Sequence, residues 1–76
     1  MKSAKEMFEE LDFQCNSNEF NIRYYQEFRD YDDESYTLDI DFRLIEKKIF
    51  SDFSIDMPLL KAINKQVEEL GWNLEG

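Results

Sequence analysis

From Tyr36 to Leu44 the sequence "YTLDIDFRL" alternates without a break. Tyr36, Leu38, Ile40, Phe42 and Leu44 fall on one side; Thr37, Asp39, Asp41 and Arg43 fall on the other. Successive side chains of an extended chain point to opposite faces, so a period of two commits this segment to a strand with one dry and one wet face. Half-wet strands belong to antiparallel sheets, because parallel sheets are covered on both faces. An earlier run behaves similarly: Phe20, Ile22, Tyr24 and Phe28 share one side, and Asn21, Arg23, Tyr25 and Glu27 the other. A third, residues 48–55, puts Ile49, Ser51, Phe53 and Ile55 on one side.

Charge selects how the first two runs pair. Tyr24 opposite Ile40 sets Arg23 against Asp41 and Tyr25 against Asp39, whereas a slip of two residues opposes Glu27 to Asp39 and Arg23 to Arg43. The first register is predicted, with "RDYDDES" (29–35) as the connection. For the second pair, the short "EK" (46–47) predicts a two-residue turn, though it lacks the glycine or asparagine such turns favour. That turn pairs Leu44 with Ile49 and Ile40 with Phe53, and it opposes Asp41 to Asp52.

Both ends read as helices. Ser3 with Glu6 three residues on fits a capping box, and Ala4, Met7, Phe8 and Leu11 then line one helical face. "CNSN" (15–18) reads as loop. Near the other end Asp56 is a natural cap and Pro58 sits in a permissive first turn. Leu59, Leu60, Ile63, Val67 and Leu70 form an apolar stripe, opposite Lys61, Asn64, Lys65 and Glu68. Gly71 stands where a left-handed terminating residue belongs, with Trp72 ready to fold back on Val67. Seventy-six residues allow a single core. The expectation is one α+β domain, residues 1–76: a three-stranded antiparallel meander with N- and C-terminal helices packed on one face, in the order α-β-β-β-α.

The two terminal segments, "SAKEMFEEL" and "LKAINKQVEELGW", resemble a group of short uncharacterised proteins from phages and prophages of Gram-positive bacteria. The resemblance covers the two helices and, more loosely, the alternating middle. It rests on caps and core stripes and carries no catalytic residues with it. It implies a small intracellular accessory protein of viral origin.

Composition removes several kinds of chemistry. There is no histidine, so Cys15 and the serines lack the usual activating base. Asp39 and Asp41 share a strand face at about 6.5–7 Å, but an open sheet gives no cleft in which to split their pKa values. "DYDDE" has the density of a calcium loop without its glycine or distal glutamate. Two glycines, Gly71 and Gly76, cannot build a phosphate cradle. No enzyme activity, cofactor or dedicated metal site is expected. The net charge of −9 argues against direct contact with nucleic acid or an anionic membrane. The N-terminus turns amphipathic and acidic at once, unlike a signal peptide, and no apolar stretch nears membrane-spanning length. With a single cysteine that forms no internal disulfide, the expectation is a soluble cytoplasmic protein.

What remains is recognition of a protein. Residues 30–46 hold seven acidic and one basic side chain, so two-thirds of the net charge falls in 17 residues. The connection contributes Asp30, Asp32, Asp33 and Glu34; the wet face contributes Asp39, Asp41 and Asp52, beside Tyr25 and Phe50. Aromatic anchors among carboxylates suit a partner with a basic groove, such as a nucleic-acid-binding enzyme whose ligand the acidic surface imitates. The alternative is a homodimer, a structural accessory whose open sheet face is covered by a second copy.

Overall fold

The computed structural model describes residues 2–29, 31, 32 and 34–72. Helix α1 (Ala4–Glu10) is followed by strands β1 (Gln14–Ser17), β2 (Asn21–Arg29), β3 (Ser35–Arg43) and β4 (Lys48–Ser51), then helix α2 (Met57–Glu69). The strands form one antiparallel sheet in the order β1-β2-β3-β4. Both helices contribute to one buried cluster with Tyr24, Ile40 and Phe42, and so cover the face those residues point to. This is the expected α+β architecture with one strand more.

The helix ends follow their sequence signals. Glu6 donates its backbone N–H to Ser3 Oγ at 3.2 Å, and Leu59 donates to Asp56 Oδ1 at 3.0 Å. A further free donor of α1, Ala4 N–H, reaches Glu69 Oε2 on α2 at 2.8 Å. At the end of α2, Gly71 takes φ +71°. Its N–H donates to the Glu68 carbonyl at 3.0 Å, and that of Trp72 to the Val67 carbonyl at 3.1 Å. This pair of bonds is the Schellman arrangement. Trp72 folds back onto the core, its ring 6.4 Å from that of Phe42.

The core is built from aromatic rings. Phe8 stacks on Tyr24 with centroids 3.8 Å apart and planes 13° from parallel, while Phe42 meets both edge-on at 6.2 and 6.0 Å. Beneath α2 the stripe runs Leu59, Ala62, Ile63, Gln66 and Val67; Leu60, expected within it, is substantially exposed. Gln66 is buried because the Tyr24 hydroxyl donates to its Oε1 at 2.6 Å, satisfying two polar groups that water cannot reach. Burial, followed by the proximity of Cys15, Glu69 and Glu9, pushes the Tyr24 phenol well above its ordinary range.

The first hairpin has the predicted register, Tyr24 with Ile40, Arg23 with Asp41 and Tyr25 with Asp39. Three expectations are corrected. Gln14–Ser17, read in part as loop, is an edge strand pairing Cys15 with Tyr24; four polar or small residues carry no alternation, so the pairing comes from the neighbouring strand. The β3–β4 register is shifted by two, with Ile40 opposite Ser51, Phe42 opposite Ile49 and Asp41 opposite Phe50 instead of Asp52. Leu44 N–H is taken by the Phe20 carbonyl at 3.0 Å, and Lys47 at φ 56° closes a four-residue turn over 44–47. Without a glycine the tighter primed turn is disfavoured, and the longer loop wins. Finally, Phe20, Phe28 and Tyr36, read as inward, are exposed.

Replacing Tyr24 with Phe leaves Gln66 Oε1 buried and unpaired, and is expected to cost about 1–3 kcal/mol in urea unfolding. Adding Gln66→Leu should recover part of that loss, because both partners are then apolar. Because the folded-state pKa of Tyr24 is raised, its contribution is complete below its ordinary pKa of about 10 and lost as pH rises from there towards the folded value, by at most ~1.4 kcal/mol per pH unit. The Tyr24→Phe protein should show a shallower alkaline decline. Gly71→Ala meets no atom within 4 Å, so its expected cost of about 1–2 kcal/mol is backbone strain alone.

Candidate functional site

The helix-free face of the sheet carries Arg23 and Tyr25 from β2, Asp39, Asp41 and Arg43 from β3, and Phe50 from β4. Pairing in the ladder places Arg23, Asp41 and Phe50 in one row across three strands, with Tyr25 and Asp39 in the next. Long side chains reach diagonally between rows. Arg23 forms an ion pair with Asp39 and lies over the Tyr25 ring, 4.5 Å from its centroid. Arg43 pairs with Asp41 at 2.8 Å and lies 5.2 Å over the Phe50 ring. Asn21 Nδ2 donates to Asp41 Oδ1 at 2.7 Å, and the Tyr25 hydroxyl donates to Gln14 Oε1 at 3.1 Å.

Both aspartates therefore stand on the face opposite the helices, and neither is freely solvated. The Asp41 side chain is only 19% exposed and that of Asp39 35%. Asp39 Oδ1 is shut off from water and meets the Arg23 guanidinium as an ion pair without an aligned hydrogen bond. Asp52 lies past the end of β4 but lines the same shallow depression as Asp39, Asp41 and Phe50. The face as a whole balances: Arg23, Arg29, Arg43 and Lys48 against Glu27, Asp39, Asp41 and Asp52. Arg23 and Arg43 hold carboxylates and cover aromatic rings at once, so the aromatic and acidic groups of this face are already engaged with each other.

Four of the nine net negative charges fall together at the far end of the first hairpin. Residues 30–34 hold four carboxylates and no cation; of these, Asp32 and Glu34 are exposed, while Asp30 and Asp33 lie outside the described residues. The hairpin outruns its cover. Nine-residue strands extend about 30 Å, whereas a 13-residue helix extends only about 20 Å and a 7-residue helix about 10 Å. The last tether is Gln26, whose Nε2 donates to the Leu11 carbonyl at 2.5 Å. Beyond the Gln26–Leu38 pair, Glu27, Phe28, Arg29, Ser35, Tyr36 and Thr37 are all exposed, so both faces are wet. Phe28 and Tyr36 nonetheless stack across the arm at 5.4 Å, and Tyr31 is fully exposed at the tip.

The structure thus separates the sequence-predicted residues into two groups. Tyr25, Asp39, Asp41, Asp52 and Phe50 gather on the balanced face, and Asp32 and Glu34 sit at the tip of the arm. The arm aromatics Phe28, Tyr31 and Tyr36 were not among the predicted site residues. Their signal was one of length, since strands of nine residues cannot be covered by helices this short. Among the described residues no three or more His, Cys, Asp or Glu side chains are grouped to hold a metal ion. No helix of the described residues is long and apolar enough to cross a membrane. Comparison of the chain with models of protein families, with curated proteins and with solved structures finds no match.

Because the Arg43 partner of Asp41 is half open to water, Asp41→Asn should cost less than about 1 kcal/mol, and the loss should shrink in high salt. Phe50→Ser should stay within about 0.5 kcal/mol of the parent. Urea unfolding at low and high ionic strength checks both.

Proposed function

We propose that this chain is a small non-catalytic accessory protein that binds a protein partner, and that the β2–β3 arm is the element it inserts. One observation carries the reading: past Gln26 and Leu38 the arm contributes nothing to the core, yet it keeps a Phe28–Tyr36 stack and an outward Tyr31. Isolated exposed aromatics are common, but three on one overhanging hairpin beside an acidic tip fit a docking element. Tyr and Phe lose little conformational freedom on binding, and carboxylates steer the approach to a basic surface.

The groove such an arm suits is a basic one. In a protein that binds single-stranded nucleic acid, aromatic platforms take bases and cations take phosphates; a hairpin presenting flat rings with flanking carboxylates meets both requirements. A host or phage nucleic-acid enzyme is the class of partner proposed. The charge-balanced sheet face supports that role less well than the arm does. A second reading, a homodimer through the open face, is favoured by the half-exposed Phe50 ring. It predicts a dimer that Phe50→Asp converts to monomer in light scattering.

The decisive test is retention of lysate proteins on the immobilised chain across a salt series, with DNA and RNA as competitors. The expected result is a basic nucleic-acid-binding protein whose capture weakens with salt and is lost when Tyr31→Ser, Asp32→Asn and Glu34→Gln are combined. Unchanged capture by that triple variant would remove the arm from the interaction.

A further inference from the structure

The arm leaves the outer edge of β2 without a neighbouring strand. β1 runs beside β2 only from Ile22 to Tyr25, while β2 continues to Arg29. The ladder shows where the backbone of the extra residues points. Leu44 N–H donates to the Phe20 carbonyl at 3.0 Å, one pair beyond the β2–β3 register, so the even-numbered residues of β2 exchange hydrogen bonds with β3. Asn18 N–H donates to the Asn21 carbonyl at 2.9 Å, so the odd-numbered residues face β1. Glu27 and Arg29 therefore aim their N–H and C=O groups out along an edge that no strand among the described residues covers. Their side chains and that of Phe28 between them are exposed. Neither Glu27 nor Arg29 forms an ion pair among the described residues.

We infer that this edge pairs, antiparallel, with the same edge of a second copy of the chain, about a two-fold axis through Phe28. A two-fold pairing that matches the outward backbone groups can be centred on Glu27, Phe28 or Arg29. The first sets Glu27 against Glu27 and the last sets Arg29 against Arg29, both repulsive. Centring on Phe28 sets Glu27 against Arg29 of the second copy and Arg29 against its Glu27, each pair exchanging both of its main-chain hydrogen bonds. Main-chain bonds of this kind supply the affinity when a strand is added to a sheet edge, and the charges fix the register. On the other face the two Phe28 residues form the closer, non-hydrogen-bonded kind of pair, with Cα atoms about 4.5 Å apart. Each ring already stacks on its own Tyr36 at 5.4 Å, so the two stacks join into one row beyond the reach of the helices. Net charges of −9 on each copy oppose association. The antiparallel arrangement points the two acidic tips in opposite directions. Tyr31 stands about 10 Å from the axis, so the tips are about 20 Å apart at roughly 3.4 Å per residue. That exceeds the Debye length of about 8 Å at physiological ionic strength, whereas the Glu27–Arg29 contacts lie within it. The pairing leaves Tyr31, Asp32 and Glu34 outside the contact, so it goes beyond the partner reading above and does not rest on it.

Three residues a side make a small contact, and small contacts hold weakly. The test is therefore sedimentation velocity on the purified chain up to millimolar concentration. The parent is expected to associate as its concentration rises, with amide exchange at Glu27 and Arg29 slowing in step. Arg29→Glu sets glutamates against one another, and Glu27→Arg sets arginines against one another; each alone should weaken association about tenfold or more. Both changes in one chain exchange the two charges, keep the net charge at −9 and restore the dimer. Mixing the two single variants should give a one-to-one heterodimer, since every pair then joins a glutamate to an arginine. Both positions are exposed, and circular dichroism verifies that each variant is folded. A parent that stays monomeric at every concentration overturns the inference. So does association that either single reversal leaves unweakened, or an exchanged chain or a mixture that stays monomeric. Dimerisation lost only with Phe50→Asp overturns it in favour of the sheet face. The lysate experiment reads separately: Arg29→Glu keeps the tip, and the tip triple variant keeps the edge and should still dimerise.

Discussion

Phe8 lies flat on Tyr24 with ring centroids 3.8 Å apart, Phe42 abuts both edge-on, and the Tyr24 hydroxyl reaches Gln66 on α2. This cluster joins α1, the two central strands and α2 in a chain too short to hold a second core. Each ring buries a large apolar area, on the order of 150–250 Å², and a domain of this size has few other sources of stability. The remaining contacts follow its geometry. With Tyr24 held under Phe8, Ile22 and Ile40 turn to the same side, and Arg23 and Asp41 are turned to the other. The Ala4–Glu69 hydrogen bond and the return of Trp72 then tie the two ends of the chain together over the same rings.

Away from the cluster, coverage decides character. Where the helices reach, side chains alternate between dry and wet. Where they do not, both sides of the hairpin are wet, and the aromatic residues left there have no role in the core. The opposite sheet face shows how an acidic sequence can make a neutral surface: Arg23 and Arg43 each hold an aspartate and cover a ring.

Much of this was legible in the residues. The run Tyr36–Leu44 identified β3 and its two faces, and the like-charge clash of Arg23 with Arg43 excluded the slipped register. Ser3, Asp56 and Gly71 marked helix ends because their chemistry is local: an oxygen for a free N–H, or a backbone that tolerates positive φ. β1 was not legible, since Gln14, Cys15, Asn16 and Ser17 have no pattern of their own and are strand only because β2 offers them an edge. The turn at 44–47 was misread for a related reason: its register depends on a hydrogen bond from Leu44 to Phe20, distant in sequence.

By itself, then, the chain determined the two helices, the strands β2 to β4, the caps, the first hairpin's pairing and the sign of its charge, because each depends on neighbours a few residues apart or on a period of two or 3.6. Only the tertiary structure decided which carboxylates are spoken for. Whether Asp41 meets Asp52 or Phe50, whether Arg23 reaches Asp39, and how far the hairpin extends past its helices all depend on distances between segments, and those are set by packing around Phe8, Tyr24 and Phe42.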